Sequence, residues 1–226
     1  MMNLKKILLF LGLITLSLQA NAQRIWEGSY NRFGIQAGAN RFDIHTDELD
    51  INPGISWTAG FHSRASFYND FQVIYGINFY DFKLTMDGRE KIETLEADQE
   101  IEYNMIGVQL NFFGSYKIAG HNLSVEAGPV VQVNGKLDAR QDKEYWYLGH
   151  YNIQAIDIEK VSPFNVNLAA GISGGFERVK LWTQVQYGLN NMLKGLNNEG
   201  LQEIDPTVPK MNGHMLLFAG GIILFL

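Results

Sequence analysis

A recurring alternation of apolar and small polar residues constrains the fold of this chain more than any other feature. It runs through residues 33–40, 71–79 and 106–112, where every second position is apolar and often aromatic. The intervening positions are mostly Gly, Asn or Gln. Successive side chains of a β-strand point to opposite faces, so this period of two predicts strands. A polar face that is small, uncharged and rich in glycine is typical of the narrow lumen of a transmembrane barrel, whose apolar face contacts lipid.

The first residues have the organisation of a secretory signal peptide. Lys5 and Lys6 precede an apolar run over residues 7–18, and Ala20-Asn21-Ala22 forms a cleavage site of the small-x-small type. The apolar run is too short to span a bilayer as a helix. We therefore predict a signal peptide at residues 1–22 and a mature domain at residues 23–226. The alternative, an uncleaved N-terminal anchor, is disfavoured by the cleavage site.

Composition narrows the class of the mature protein. Removing 22 residues, which include two lysines and no acid, leaves 204 residues with a formal charge of −8, and this balance argues against nucleic acid as a partner. The chain has no cysteine, so disulfides do not stabilise this exported protein. The mean hydropathy of −0.10 resembles that of a soluble protein. It also fits a membrane barrel, because half of each strand faces inward.

Eight strands can be read along the mature chain. Together they predict an all-β fold, an eight-stranded antiparallel up-and-down transmembrane β-barrel. The predicted strands are Arg32–Asp43, Gly54–Phe67, Phe71–Leu84, Glu102–Ile118, Leu123–Leu137, Phe164–Glu177, Lys180–Asn190 and Gly213–Leu226.

The connections between these strands alternate between short and long. Short turns fall near residues 69–70, 119–122 and 177–179, and longer connections span about 44–53, 85–101, 138–163 and 191–212. An even strand number with short turns at one rim and long loops at the other is the pattern of outer-membrane barrels. We expect the short turns and both termini in the periplasm and the long loops outside the cell.

Several features resemble the PorT-type outer-membrane β-barrel family over essentially the whole mature chain. They are the signal peptide ending in Ala-Gln, the glycine-spaced strands, residues 187–192 (Tyr-Gly-Leu-Asn-Asn-Met) and the final Leu-Phe-Leu. The last residue departs from the aromatic end of many barrel proteins, because Phe225 is penultimate. The resemblance implies the outer membrane of a Gram-negative cell and, since some members are linked to secretion, a role with a protein secretion machinery.

Strand parity places a few charged side chains in the lumen. These are His62, Arg64, Glu126 and Glu177. Charges in a narrow barrel are costly unless they are paired, so we predict an interior polar network in which Arg64 pairs with Glu126. An alternative is a catalytic site, which would need a Ser or Asp nucleophile beside a histidine and an orienting acid. The five histidines fall in separate segments without a recognisable motif, so we predict no catalytic, cofactor or metal site.

Two long loops carry possible interaction sites. The second loop is rich in Asp and Glu over residues 87–102, but the spacing matches no calcium loop, which favours a solvated charged loop over a calcium site. The third loop carries Tyr145, Trp146, Tyr147 and Tyr151. Exposed aromatic residues are candidates for a protein interaction. The same residues also suit a continuation of the strands above the membrane in which they pack on one another, and we favour this interpretation.

Taken together, the sequence predicts a monomeric outer-membrane barrel with a non-catalytic structural or interaction role. It would contact outer-membrane lipid and, through its outer loops, a protein partner. Eight strands are too few for a solute pore. The alternatives are a soluble lipocalin-like barrel that binds a small apolar ligand, and an outer-membrane lipid-modifying enzyme. The predicted inner face of Gly, Asn, Gln and Ser offers little apolar lining for such a ligand.

Overall fold

The computed structural model describes residues 30–66, 70–92, 99–119, 122–176 and 178–226. The predicted signal peptide and the predicted lumenal residue Glu177 lie outside these described residues. No helix within the described ranges is both long enough and apolar enough to cross a membrane.

The described residues form ten strands, of which eight are long. The strands are β1 Tyr30–His45, β2 Ile51–Ser66, β3 Phe71–Arg89, β4 Gln99–Ala119, β5 Leu123–Asn134, β6 Asp138–Ala139, β7 Tyr147–Leu148, β8 Phe164–Gly175, β9 Val179–Gly188 and β10 His214–Phe225. The long strands pair antiparallel with their neighbours in sequence order, and β10 pairs with β1. The pairing therefore closes an eight-stranded barrel, which confirms the predicted fold. Closure leaves no long strand with an unpaired edge, as a membrane requires.

Short elements lie in the long connections. β6 pairs with β4, and β7 pairs with β3, so both extend the barrel wall beyond the ring. Two 3₁₀-helices, Ala155–Ile158 and Met192–Asn198, and one short α-helix, Leu201–Ile204, occupy the third and fourth long connections. We call the end of the barrel with these connections the loop end and the opposite end the turn end.

The strand boundaries differ from the sequence prediction mainly at the loop end. β3 continues to Arg89 and β4 begins at Gln99, so this hairpin is longer than the alternation suggested. β5 ends at Asn134 instead of Leu137, because the chain turns there to lay Leu137 into the barrel interior. The predicted strand continuation over 143–161 is wrong except at β7, since most of this segment forms turns and a 3₁₀-helix.

The outer face of the ring is an apolar belt. In β4 the side chains of Leu110 and Phe112 are 57% and 58% exposed, whereas Gln109 and Asn111 are buried in the lumen. The predicted facing of this strand is therefore confirmed at these positions. Large apolar side chains are exposed in the same way around the ring: Phe33, Ile35, Ile55, Trp57, Phe61, Phe71, Tyr75, Phe79, Leu168, Leu181, Tyr187, Phe218 and Ile222. This surface suits lipid contact.

Near the loop end, the apolar and polar faces of the longest strands exchange places. In β3 the apolar residues up to Phe79 point outward except Ile74, which is buried inside the barrel. Beyond Phe79, the side chains of Phe82, Leu84 and Met86 point inward and are buried. Their outward neighbours are charged or hydroxylated, such as Lys83 and Thr85. β4 shows the same exchange over residues 100–105. A wall with polar residues outside and apolar residues inside suits water, so the strands leave the apolar belt there and continue for about 20 Å.

The inward apolar residues at the loop end form one buried cluster with the long connections, which we call the apolar cap. Strand residues supply its floor, and residues of the first, third and fourth connections close it. Its members are Phe42, Ile44, Leu49, Tyr80, Phe82, Leu84, Met86, Ile101, Tyr103, Met105, Leu137, Leu148, Tyr151, Ile153, Ala155, Ile158, Val161, Met192, Leu193, Leu196, Leu201, Val208, Met211, Met215 and Leu217. The same buried cluster continues toward the turn end through Trp182, Ala219, Ile223 and Phe225, which we do not count as part of the cap. The cap fills the loop end of the barrel with packed side chains.

Candidate functional site

Arg64 and Glu126 form an ion pair toward the turn end of the lumen. Arg64 Nη2 lies 2.5 Å from Glu126 Oε1, and the arginine side chain is 2% exposed. The guanidinium also donates to Gln72 Oε1 at 2.8 Å and to Ser173 Oγ at 3.0 Å. Ser173 Oγ in turn donates to Glu126 Oε1 at 2.5 Å. These bonds connect β2 with β3, β5 and β8 across the interior of the barrel.

His62 lies two residues before Arg64 on the same inward face. Its Nδ1 is 3.2 Å from Gln36 Oε1, and its ring packs edge-on against Phe225 with centroids 5.5 Å apart. Gln36 Nε2 donates to Asn78 Oδ1 at 2.5 Å. The imidazole is therefore oriented by a neutral amide. Neither a carboxylate nor a hydroxyl nucleophile bonds to it in the part of the chain that the structure describes.

Two further histidines have similar partners. His214 Nδ1 lies 3.0 Å from the backbone oxygen of Gly188, and its ring stacks on Tyr187. The ring of His150 packs against Tyr151 with centroids 4.1 Å apart. These contacts are those of structural histidines at the loop end.

A chain of buried amides crosses the middle of the lumen, and the sequence analysis did not foresee their contacts. Gln186 Nε2 donates to Gln109 Oε1 at 2.9 Å, and Gln109 Nε2 donates to Gln132 Oε1 at 2.6 Å. Gln132 Nε2 then donates to Asn134 Oδ1, and Asn167 Nδ2 donates to Gln132 Oε1. Amides carry both donors and acceptors, so they can fill a narrow lumen without introducing charge.

The third long connection folds over the β3–β4 hairpin instead of extending freely. Gly88 and Arg89 of β3 pair with Leu148 and Tyr147 of β7. The buried side chain of Arg89 donates from Nη2 to the backbone oxygen of Tyr151 at 3.2 Å and to Asn152 Oδ1 at 3.1 Å. A charged donor thus holds two carbonyl groups of the loop over the apolar cap.

Asp205 joins the fourth connection to the third. Its Oδ2 accepts from the backbone N–H of Asn152 at 2.8 Å, and its Oδ1 accepts from the backbone N–H and hydroxyl of Thr207. These hydrogen bonds, led by that of Asn152, lower the pKa of the Asp205 carboxyl below its ordinary value. The carboxylate therefore adds a polar connection between two loops that also share the backbone hydrogen bond from Ser162 to Met192 and the Lys160–Glu199 ion pair.

The aromatic residues predicted as interaction candidates have different environments. Tyr145 is 61% exposed, whereas Trp146 and Tyr147 are half-buried. Trp146 packs against the apolar cap and carries the Lys143 ammonium 4.6 Å from its ring centroid. Tyr151 is buried in the cap, where burial and the carboxylates of the first and fourth connections raise the pKa of its hydroxyl. Tyr145 is thus the member of the set that reaches the surface.

The loop end is acidic. We define the loop platform as residues 43–51, 81–92, 99–105, 135–163 and 189–213, which enclose the apolar cap. These residues include seventeen Asp and Glu but only nine Lys and Arg. Four of these acidic residues line a cleft of about 90 Å³ between the first and third connections. They are Asp47, Glu48, Asp50 and Asp87. The platform surface is therefore negative, which favours positively charged partners.

Comparisons with known proteins identify one family and several structures to which the chain is similar. A family model described as outer membrane protein beta-barrel domain matches residues 19–194. The fold is similar to solved structures of Neisserial surface protein A (8% identity, TM-score 0.46, 85% of this chain and 96% of that chain) and OprG from Pseudomonas aeruginosa (10%, 0.45, 88% and 97%). It is also similar to Ail, the attachment invasion locus protein of Yersinia pestis (11%, 0.41, 87% and 99%). A search of curated protein sequences gives no significant match.

Proposed function

The chain belongs to the outer membrane protein β-barrel domain family and lies in the outer membrane, and from this premise we propose that it holds the loop platform at the cell surface for a protein partner. The role is non-catalytic in this proposal. The observation that carries it is the apolar cap, which packs three long connections and the β3–β4 hairpin into one body. Loops that share a buried core keep a fixed surface, and such a surface binds a partner with a low cost in conformational entropy.

The contents of the lumen support this role over transport. The cap fills the loop end, and the amide chain and the Arg64–Glu126 pair cross the remainder together with buried apolar side chains such as Trp182. Eight-stranded barrels have interiors only wide enough for side chains. The lipocalin-like alternative is overturned, because the family and its location are those of an outer-membrane barrel and the apolar face of the strands is the outer one.

The histidine contacts favour a non-catalytic role over a lipid-modifying enzyme. His62 bonds to an amide, and His214 bonds to a backbone carbonyl. General-base catalysis on a hydroxyl nucleophile needs that hydroxyl within hydrogen-bond reach of the imidazole. A His62→Ala variant should therefore retain the function of the protein in cells.

The resemblance to PorT-type barrels makes a protein secretion machinery the first partner class to test. The acidic surface of the loop platform complements a basic partner surface, and the exposed ring of Tyr145 supplies an aromatic contact within it. In this proposal, the contact with a secretion component uses both the acidic surface of the loop platform and the ring of Tyr145.

Photo-cross-linking in intact cells tests this proposal. A photoreactive phenylalanine analogue at position 145 should give a discrete adduct with one partner protein. The same analogue at position 112, on the lipid-facing side of β4, is the control and should give none. In parallel, Tyr145→Ala should reduce the secreted protein pool several-fold while the barrel stays in the outer membrane. If position 145 gives no adduct and the secreted pool is unchanged, the proposal is wrong.

A further inference from the structure

Arg41 lies where the outward face of β1 leaves the apolar belt. Its side chain is exposed, and its register partners are Phe218 on β10 and Ile55 on β2. Directly opposite residues of antiparallel strands share one face of the sheet, so Arg41 stands between two outward apolar side chains. Those of Phe218 and Ile55 are 47% and 72% exposed. The arginine is therefore at the edge of the surface that faces lipid.

Arg41 differs from Lys83, the outward cation of β3. Lys83 Nζ lies 3.9 Å from Asp81 Oδ2, and its register partner on β4 is the polar Asn104. Within the described residues, the side chain of Arg41 forms neither a hydrogen bond nor an ion pair. A guanidinium has five N–H donors and no acceptor, so its partner beside an apolar surface has to come from the surroundings.

A membrane supplies an acceptor at this depth. Long basic side chains at the end of an apolar membrane surface extend their charge into the headgroup region. Lipid phosphate oxygens can accept two parallel N–H bonds from a guanidinium. The next outward residue of β1, Asp43, is farther from the belt, and its carboxylate would repel an anion. A phosphate would therefore lie on the belt side of Arg41.

The belt beside Arg41 has space for an acyl chain. The two preceding outward residues of β1 are Ala39 and Ala37, and both are exposed. The β10 partner of Ala39 is Gly220, and the β2 partner of Ala37 is Ala59. Small residues at these four positions leave a shallow strip in a belt of mostly larger apolar side chains. The strip runs from Arg41 into the belt, which is the direction that a lipid chain takes from its phosphate.

We propose that Arg41 binds the phosphate group of one membrane lipid, with an acyl chain of that lipid along Ala37 and Ala39. Charge complementarity identifies the occupant as a phosphate. Continuity with the apolar belt identifies it as a lipid instead of a soluble phosphate. The site depends on the outer-membrane location of the barrel and is independent of the partner proposed for the loop platform.

Native mass spectrometry of the folded barrel released from detergent tests this proposal. Incubation with dimyristoyl phosphatidic acid should leave one retained lipid adduct. Dimyristoyl glycerol, which has the same chains without the phosphate, should leave at least several-fold less. Arg41→Gln should reduce the phosphatidic acid adduct at least several-fold. Lys210→Gln, which removes an exposed cation of the fourth connection, is the matched control and should retain the adduct.

A second pair of variants tests the position of the acyl chain. Ala39→Leu fills the strip without changing a charge and should weaken the adduct several-fold, whereas Ala127→Leu, at an exposed position of β5, should not. Heat-dependent mobility on a denaturing gel verifies that each variant is folded. Equal adducts with the two lipids, or equal losses in Arg41→Gln and Lys210→Gln, would overturn the proposal. Displacement of the lipid by inorganic phosphate would also overturn it, because the site would then bind a soluble anion.

Discussion

Gly38 on the first strand and Gly221 on the last strand are direct register partners at the seam that closes the barrel. A Cβ added to Gly221 would lie 2.6 Å from the Gly38 Cα, and one added to Gly38 would lie 2.8 Å from the Gly221 Cα. Real side-chain carbons do not approach so closely. The two backbones therefore meet at a distance that only glycine permits on both strands.

Replacing either seam glycine should weaken closure of the barrel. We expect Gly38→Ala and Gly221→Ala to lower the temperature at which the folded form converts to the slower-migrating form on a denaturing gel. Gly114→Ala is the control, because its Cβ would have nothing nearer than a backbone oxygen 3.9 Å away. Equal conversion temperatures for Gly38→Ala and Gly114→Ala would contradict this role of the seam.

Removing one member of the lumenal ion pair should cost more stability than removing both charges. Arg64→Met leaves the Glu126 carboxylate largely buried without its partner, so the free energy of unfolding should fall by about 3 kcal/mol. The double variant Arg64→Met/Glu126→Gln should recover a substantial part of this loss. Urea unfolding of the barrel in detergent micelles measures both effects. The prediction is wrong if the double variant is less stable than Arg64→Met.

The fold could be predicted from the sequence because alternation acts locally in every strand. Every second residue from Phe71 to Phe79 is apolar and faces outward, although Ile74 between them is apolar and faces inward. Strand pairing then follows from the short turns. The boundaries at the loop end were harder to predict. After Phe79 the apolar positions shift by one, so that Phe82 and Leu84 point inward. This shift is visible in the sequence as the side-by-side Phe79-Tyr80, and it marks where the surroundings of the strand change from lipid to water.

The contacts inside the lumen could be predicted only in part. Parity places Arg64 and Glu126 on inward faces, but the distance between them depends on how the strands are staggered around the ring. The same applies to the amides: Gln109 is recognisable as inward-facing and Gln132 is its partner on the next strand, but the bond from Gln186 joins strands that are far apart in sequence. The binding of Asn152 by Asp205 has no sequence signal, because both residues lie in irregular loops.

The Asp205 carboxylate should hold the third and fourth connections together at neutral pH. Because its pKa is lower in the folded state than its ordinary value near 3.8, its contribution is fully present above that value and is lost as the pH falls through the folded pKa. Protection of the Asn152 amide from hydrogen exchange should therefore be constant from pH 7 to about pH 5 and decline below about pH 4.

A substitution separates this effect from general acid unfolding. Asp205→Asn should increase exchange at Asn152 several-fold at pH 7, because a neutral amide is a weaker acceptor than a carboxylate. Glu203→Gln, an exposed change two residues away, should have no such effect. Similar exchange in Asp205→Asn and the unchanged protein would show that the other contacts between these loops protect Asn152 without the carboxylate.

The exchange of faces in β4 should be measurable with spin labels, because the chain has no cysteine of its own. Labels at Leu110 and Phe112 should be relaxed by oxygen, which concentrates in lipid, and labels at Gln109 and Asn111 should be protected from it. Labels at Glu102 and Asn104 also point outward but lie beyond the apolar belt, so a water-soluble nickel complex should relax them instead. If oxygen relaxed the labels at 102 and 104 as strongly as those at 110 and 112, the membrane would extend to the loop platform. The exchange of faces would then not mark the lipid boundary.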